Sequence, residues 1–522
     1  MSLLTIVILF PLIGAIATAL TPRTETALIR AAAAFSTFVS MVLSVVVFVL
    51  FEPGTGSYQF VQKTGWVESL GISFHVGVDG INVGLVLMSA IVAFSASLLS
   101  KDIKTREKEF YTLLLIMASG VLGAFASLDL FFFYFFHELA LVPTFIMIGV
   151  WGRGKERGYA AFNITMYLSL GALIALAGLI GVYIQVGIHS FDMIEMQQAV
   201  LSNPIRSDVQ KTLFPLLLFG FGILVSLWPF HSWAPLGYGA APTATSMLHA
   251  GALKKFGLYG LIRIALPLLP EGAKLWMEIL AWLCLGNILY CGLVAMRQKD
   301  LNQLIGNSSV AHMGFIFLGI ASLSLIGITG AVMVMVAHGL LAALSFGLSG
   351  TLYKETQDLT LSRYGGILKQ TPFLGSAFLM AMMAACGLPG FANFVGEALV
   401  FFGAWSSYPW QTVIACWGGL VIGGVYMLRA IRSLLHGESG EATLSIKDAH
   451  GVGERTPYAL LLASLLVFGF VPGILVNKIK PEVELILSRF NEDGPVTRLA
   501  VETTSNVKHL SAVAEKGTLQ AQ

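Results

Sequence analysis

Trp228-Pro229-Phe230-His231-Ser232-Trp233-Ala234-Pro235 puts two prolines into an apolar run that extends from about 213 to 237. Proline removes a backbone donor and clashes with the preceding turn, so the run cannot be one regular helix. A second apolar run, 372 to 406, is interrupted in the same way by Gly387-Leu388-Pro389-Gly390-Phe391-Ala392-Asn393. Interrupted helices at matching places in two halves of a chain are the sequence sign of an inverted-repeat transporter, whose freed backbone groups line a hydrated cavity at mid-membrane. Two ordinary proline kinks are the plainer alternative.

The rest of the chain places these runs in lipid. Of 522 residues, 56% are apolar and only 11% are charged, against about 25% charged in an ordinary soluble domain. A soluble enzyme is excluded, and a net charge of +2 gives no reason to expect a nucleic-acid partner. A bilayer is crossed by about 20 apolar residues in helical form. Fourteen such windows are legible, at about 3–20, 28–51, 81–100, 110–126, 130–150, 160–187, 213–237, 242–265, 274–296, 301–322, 326–353, 372–406, 409–435 and 457–476. The expected fold is therefore all-α and polytopic, with broken helices seven and twelve. The first window lacks a basic flank and a small-residue cleavage site, so it reads as a mature helix rather than a signal peptide. The stretch after 476 begins amphipathically with Val483, Leu485, Ile486 and Leu487 and then turns polar.

Lys and Arg fall unevenly between the connections. Odd-numbered loops and their flanks hold eighteen and even-numbered loops four, which puts the odd loops in the cytoplasm and both termini on the other side. Cys284, Cys291, Cys386 and Cys416 lie in apolar stretches without the spacing of a metal or cluster site. They are read as packing residues, with no metal or cofactor bound to this chain. Gly419 and Gly423, at small-xxx-small spacing, read as helix packing.

Ionisable groups near the bilayer centre cost about 2.5–3.5 kcal/mol each on insertion scales and need a partner, a wet cavity or a function. Glu138 in the fifth window, Lys254 and Lys255 in the eighth, His312 in the tenth, His338 in the eleventh and Glu397 in the twelfth are such groups. One buried histidine is commonly a packing residue, but six ionisable groups over five helices fit a polar row through which a proton is passed. On a continuous helix Lys254 and Lys255 point about 100° apart, so only one is expected to face the row, and His137 is expected to point away from Glu138. No nucleophile–base pair or phosphate-binding loop is present in the sequence.

These residues resemble a known family, the antiporter-like membrane subunits of respiratory complex I, in particular subunit M of bacterial NADH:quinone oxidoreductase and its mitochondrial relative, subunit four. The carriers lie between about 75 and 435: Gly77-Val78-Asp79-Gly80-Ile81, His137-Glu138-Leu139-Ala140-Leu141-Val142-Pro143, Pro229-Phe230-His231-Ser232-Trp233-Ala234-Pro235 with Ala241-Pro242-Thr243, Ser308-Ser309-Val310-Ala311-His312-Met313-Gly314, Ala337-His338-Gly339-Leu340, and Gly387 through Glu397. The resemblance implies fourteen helices with two inverted five-helix repeats. The expected layout is helices one to three in 1–109, the repeats in 110–265 and 274–435, a last helix in 457–476 and a polar tail in 477–522.

It further implies a proton-translocating membrane-arm subunit whose work is driven by quinone reduction elsewhere. NADH, FMN, iron–sulfur clusters and quinone would belong to partner subunits. Its neighbours would be other membrane-arm subunits and the lipid of a cell inner membrane. The implied relay is Glu138, Lys255 rather than Lys254, His312, His338 and Glu397, with His137, His231 and Lys254 as accessory candidates. One position departs from the family pattern: Leu224 stands seven residues before His231, where relatives carry a lysine paired with the fifth-helix glutamate. Asn163 and Asn302 also stand where relatives often have lysine. Alternative expectations are a non-pumping or degenerate arm subunit, and a subunit of a multi-chain sodium/proton antiporter or membrane hydrogenase.

Overall fold

The computed structural model describes residues 1–490. Helices α1 (Leu3–Leu20) and α2 (Thr26–Leu50) lead into a hairpin of β1 (Gln59–Val67) and β2 (Ile72–Val78). Helices α3 (Val83–Leu99), α4 (Glu107–Ala126), α5 (Leu130–Trp151) and α6 (Arg157–Val186) follow, then a short α7 (Met193–Ser202). Among the described residues eleven helices are long and apolar enough to cross a membrane, or twelve if one bent pair near the C-terminus is a single span.

The hairpin corrects the all-α expectation. Ile72, Phe74, Val76 and Val78 alternate with Ser73, His75 and Gly77, the period of a half-buried strand. The strands pair antiparallel, with Lys63 opposite His75. The hairpin is tied to the α6–α7 connection by Asp192, which accepts from Lys63 Nζ (2.6 Å) and pairs with His75 Nδ1 (2.8 Å). Burial pushes the Asp192 carboxyl up, but these two hydrogen bonds outweigh it and hold the group at about 2.

Both expected breaks are present. The seventh window is divided into α8 (Ser207–Val225) and α9 (Trp233–Ala240), and the twelfth into two pieces described below. The eighth window, expected to be a single helix, is broken as well. α10 (Thr243–Gly251) ends in a 3-10 turn, Leu253–Lys255, before α11 (Phe256–Gly260) and a π-turn, Leu261–Ala265. No proline marks this break. Gly251 packs against the next layer so closely that an added Cβ would sit 3.0 Å from the Gly339 carbonyl.

Helices α12 (Pro270–Arg297), α13 (Leu301–Ala321) and α14 (Leu325–Thr356) come next. Asp300 caps α13 by accepting from Gln303 N–H (2.9 Å), and Ser324 caps α14 by accepting from Gly327 N–H (3.0 Å). The two form the enclosed middle of the molecule, with every residue of α13 except Gln303 buried. By contrast α2 and α6 turn Phe35, Val49, Phe162, Leu173 and Ile184 outward. Apolar side chains facing away from the core suit lipid or a neighbouring membrane chain.

The twelfth window forms α15 (Pro372–Ala385) and α16 (Ala392–Trp405). α16 packs on α14 with little space between backbones: a Cβ on Gly330 would lie 2.7 Å from Val400 N and 2.9 Å from Gly396 O. Helix α17 (Pro409–Leu435) carries a π-turn, Gly418–Gly423, as α12 does at Gly286–Tyr290. Gly419 packs as expected, since a Cβ there would meet the Phe315 ring at 2.7 Å, whereas Gly423 has only distant neighbours.

Helices α18 (Val452–Phe470) and α19 (Gly473–Leu487) meet at 68°. The expected polar tail therefore begins later than 477. Val483 and Ile486 are buried, and Lys478 Nζ donates to the Phe51 carbonyl (2.8 Å). The remainder of that tail lies outside the described residues.

Candidate functional site

Lys255 ends in the protein interior with no exposed surface. The break after α10 makes this possible, since the Ala250 carbonyl accepts the Lys255 ammonium at 2.5 Å. The same Nζ lies 2.9 Å from His338 Nδ1 on α14. The His338 ring is 5.4 Å from that of His312 on α13, centre to centre. His312 Nδ1 is fixed by the Ser308 carbonyl (2.7 Å), which leaves Nε2 directed to Glu397 Oε1 at 3.6 Å.

Glu397 sits on the first turns of α16, beyond the Gly-Leu-Pro-Gly break. Gly387 in that break has φ +70°, and a Cβ there would come within 2.9 Å of Glu397 Oε2. Glycine at this turn thus supplies both the left-handed backbone and the space for the carboxyl. A small cavity opens on His312 and Glu397 and is lined in part by Gly418, Gly419 and Gly423 of the π-turn in α17. π-turns displace a helix's backbone ladder locally and often occur at working sites. The unexpected turn in the eighth window, the expected break in the twelfth and helices α13, α14 and α16 thus bring Lys255, His338, His312 and Glu397 into one row.

Lys254 is also fully buried, but it parts from Lys255 and faces Ser309 on α13 rather than His338, so the two adjacent lysines diverge although the chain here is a 3-10 turn. Lys254 Nζ lies 3.4 Å from Ser309 Oγ and 5.6 Å from the centre of the Tyr238 ring. Ser309 neighbours Ser308, the residue that fixes His312.

The other half of the expected row is less closed. Glu138 lies on α5, but its side chain is 35% exposed, beside a groove lined by Tyr134, Phe135, Leu176 and Ile180. α5 packs its opposite face inward, and nothing in the sequence distinguishes the two faces. His137 Nδ1 lies 3.5 Å from Glu138 Oε1, against the expectation that the two diverge. The carboxyl's length lets it reach around the helix, while the His137 ring stacks on Phe256 at 4.1 Å between centres. Leu224 is buried and apolar. His231 is apart from the row, with its ring against Tyr290 on the outer face of α12. Asn302 Oδ1 accepts from Ser349 Oγ (2.6 Å).

Two interior groups escaped the sequence reading. His249 lies on α10, with its ring 5.5 Å from Tyr238 and 5.6 Å from Trp233. Arg263, at the far end of the eighth window, donates to Asp79 Oδ2 (2.5 Å), Tyr58 Oη (2.7 Å) and Tyr259 Oη (3.2 Å). Each was visible as an ionisable residue in an apolar window, the signal that singled out the others.

Residues 127–423 match the family described as NADH:quinone oxidoreductase/Mrp antiporter, transmembrane. NADH-quinone oxidoreductase subunit M of Rickettsia bellii is 33% identical over 462 residues, covering 88% of this chain and 92% of that protein. The Rhodobacter capsulatus subunit M is 32% identical over 478 residues, covering 90% and 92%. A chain of respiratory complex I from Thermus thermophilus superposes with TM-score 0.85 at 27% identity, covering 94% of this chain and all of that one. A chain of the Mrp complex from Dietzia shares the fold with TM-score 0.79 at 18% identity, over 94% of this chain and all of that one. This chain therefore belongs to the antiporter-like membrane family of NADH:quinone oxidoreductases and Mrp antiporters, among the relatives of subunit M.

Proposed function

We propose that the chain is a proton-translocating membrane-arm subunit of a NADH:quinone oxidoreductase, passing protons along Lys255, His338, His312 and Glu397. The observation that carries this reading is the unbroken series of close approaches among four buried titratable groups on four separate elements. The 2.9 Å contact allows direct exchange between Lys255 Nζ and His338 Nδ1. The step between the two imidazoles, 5.4 Å between ring centres, is of a length that one bridging water serves, and the 3.6 Å from His312 Nε2 to the carboxyl closes by a small side-chain shift. Glu397 then faces the cavity beside α17 and is the exit group.

In this reading the spans form fourteen crossings, with two inverted five-helix repeats at 110–265 and 274–435 and both termini on the non-cytoplasmic side. NADH, FMN, iron–sulfur clusters and quinone act in partner subunits, and neighbouring membrane-arm subunits flank this chain in the inner membrane. Glu138 and His137 are the input side. The buried, apolar Leu224 favours a second reading, an arm subunit whose input half is degenerate.

The test uses the assembled complex in sealed vesicles. Lys255→Ala and Glu397→Gln should each lower the number of protons moved per electron while the complex still assembles. Unchanged stoichiometry in both would overturn the pumping reading. Normal pumping by Glu138→Gln alongside a Lys255→Ala defect would establish the degenerate input side.

A further inference from the structure

The two adjacent lysines part at once. Lys255 turns to His338 on α14, whereas Lys254 turns to α13, where its hydrogen-bond partner among the described residues is Ser309 Oγ, at the long distance of 3.4 Å. An ammonium carries three donors, so the remaining capacity of Lys254 is directed at the Tyr238 ring and its surroundings. That ring packs on His249. The Tyr238 hydroxyl and His249 Nδ1 are both buried with no hydrogen-bond partner among the described residues, and the same holds for His137 Nδ1. A buried polar atom left unpaired costs about 1–3 kcal/mol. Two of them, on the Tyr238 ring that Lys254 faces and on the His249 ring packed against it, are polar atoms of the kind that internal water satisfies.

We propose that Lys254 is a second proton-loading station, fed through water held by His249 and the Tyr238 hydroxyl and discharging past Ser309 towards His312. In this sequence the protonated amine releases its proton to water at Ser309, and the imidazole of His312 takes it up. The free amine is then reprotonated from the His249 side. Two lysines thus converge on one histidine, Lys255 by way of His338 and Lys254 by way of α13. The proposal rests on the pumping reading above, and its test separates the two.

In the assembled complex, Lys254→Leu, Lys254→Arg and Lys254→His are compared with Lys255→Ala, measuring protons moved per electron at constant quinone reductase rate. Arginine keeps the positive charge and much of the packing but does not give up a proton, while histidine releases one readily. A loading station predicts loss of stoichiometry in Lys254→Leu and Lys254→Arg, with partial recovery in Lys254→His. A structural or purely electrostatic role predicts that Lys254→Arg pumps normally, which would overturn the proposal. So would full pumping by Lys254→Leu while Lys255→Ala is defective. If Lys255→Ala and Glu397→Gln also pump fully, the pumping reading itself falls. Should Lys254→Leu fail to assemble, the arginine and histidine variants, which retain a polar head, decide the matter.

Discussion

Replacing Asp79 by Asn should destabilise the protein by about 3–5 kcal/mol, the cost of leaving a buried charge without its partner. Arg263 and Asp79 are 4% and 2% exposed, and their contact is 2.5 Å. The two tyrosine oxygens that also receive Arg263 are neutral acceptors, and Glu482, a buried carboxyl lining the same cavity without a direct ion pair to the guanidinium, offsets the charge only in part, so the lower end of that range is expected. Asn is the informative substitution because Asp79 has a second task. Its Oδ1 accepts from Ile81 N–H (3.0 Å) and Asn82 N–H (3.2 Å), shaping the turn into α3. An amide oxygen continues that task, so the loss measured belongs to the charge.

The double variant Asp79→Asn with Arg263→Met removes both ends of the pair and should recover most of the loss, with a coupling energy of at least about 2 kcal/mol. Thermal unfolding in detergent and protease cleavage in the β1–β2 hairpin would both report it, because Tyr58 and β2 adjoin the pair. The exposed pair Arg206–Asp208 serves as control. If Asp79→Asn shifts the unfolding temperature no further than Asp208→Asn does, the argument from burial is wrong.

Two further expectations follow from the same kind of accounting. Asp192, held at about 2 against an ordinary 3.8, contributes roughly 2 kcal/mol above the unfolded value. That contribution disappears as the pH falls from about 4 to about 2, and Asp192→Asn should abolish this acid step in hairpin protection, measured by hydrogen exchange. Gly330→Val places a branched side chain against the backbone of α16 and should cost about 1–3 kcal/mol of overpacking. Because α16 carries Glu397, proton translocation should fall more than quinone reduction in the same preparation. Equal losses in both would show that the variant merely unfolds.

Most of the architecture was readable because prolines, glycines and stranded charges are exceptional in a membrane run. Pro229, Pro235, Pro389 and Gly390 announced two of the interrupted helices, and His312, His338 and Glu397 stood out as charges without lipid-compatible reasons. The interruption after Gly251 was hidden, since its neighbours Ala252 and Leu253 are good helix formers and no proline marks it. The hairpin was overlooked because its alternation is short and lay in a segment read as a connection. The exposure of Glu138 was not legible at all: α5 is apolar on every side, so periodicity does not say which face meets the core. His249 was missed although the rule that found the lysines applied equally to it.

The Ala250 carbonyl links chemistry to shape. It sits where the backbone ladder of the eighth window lapses and is held by the Lys255 ammonium. Without that side chain the buried carbonyl would lose this partner, at a penalty on the order of 1–3 kcal/mol. One amine thus serves the backbone and the imidazole at once, so any change at His338 is felt by the main chain at Ala250.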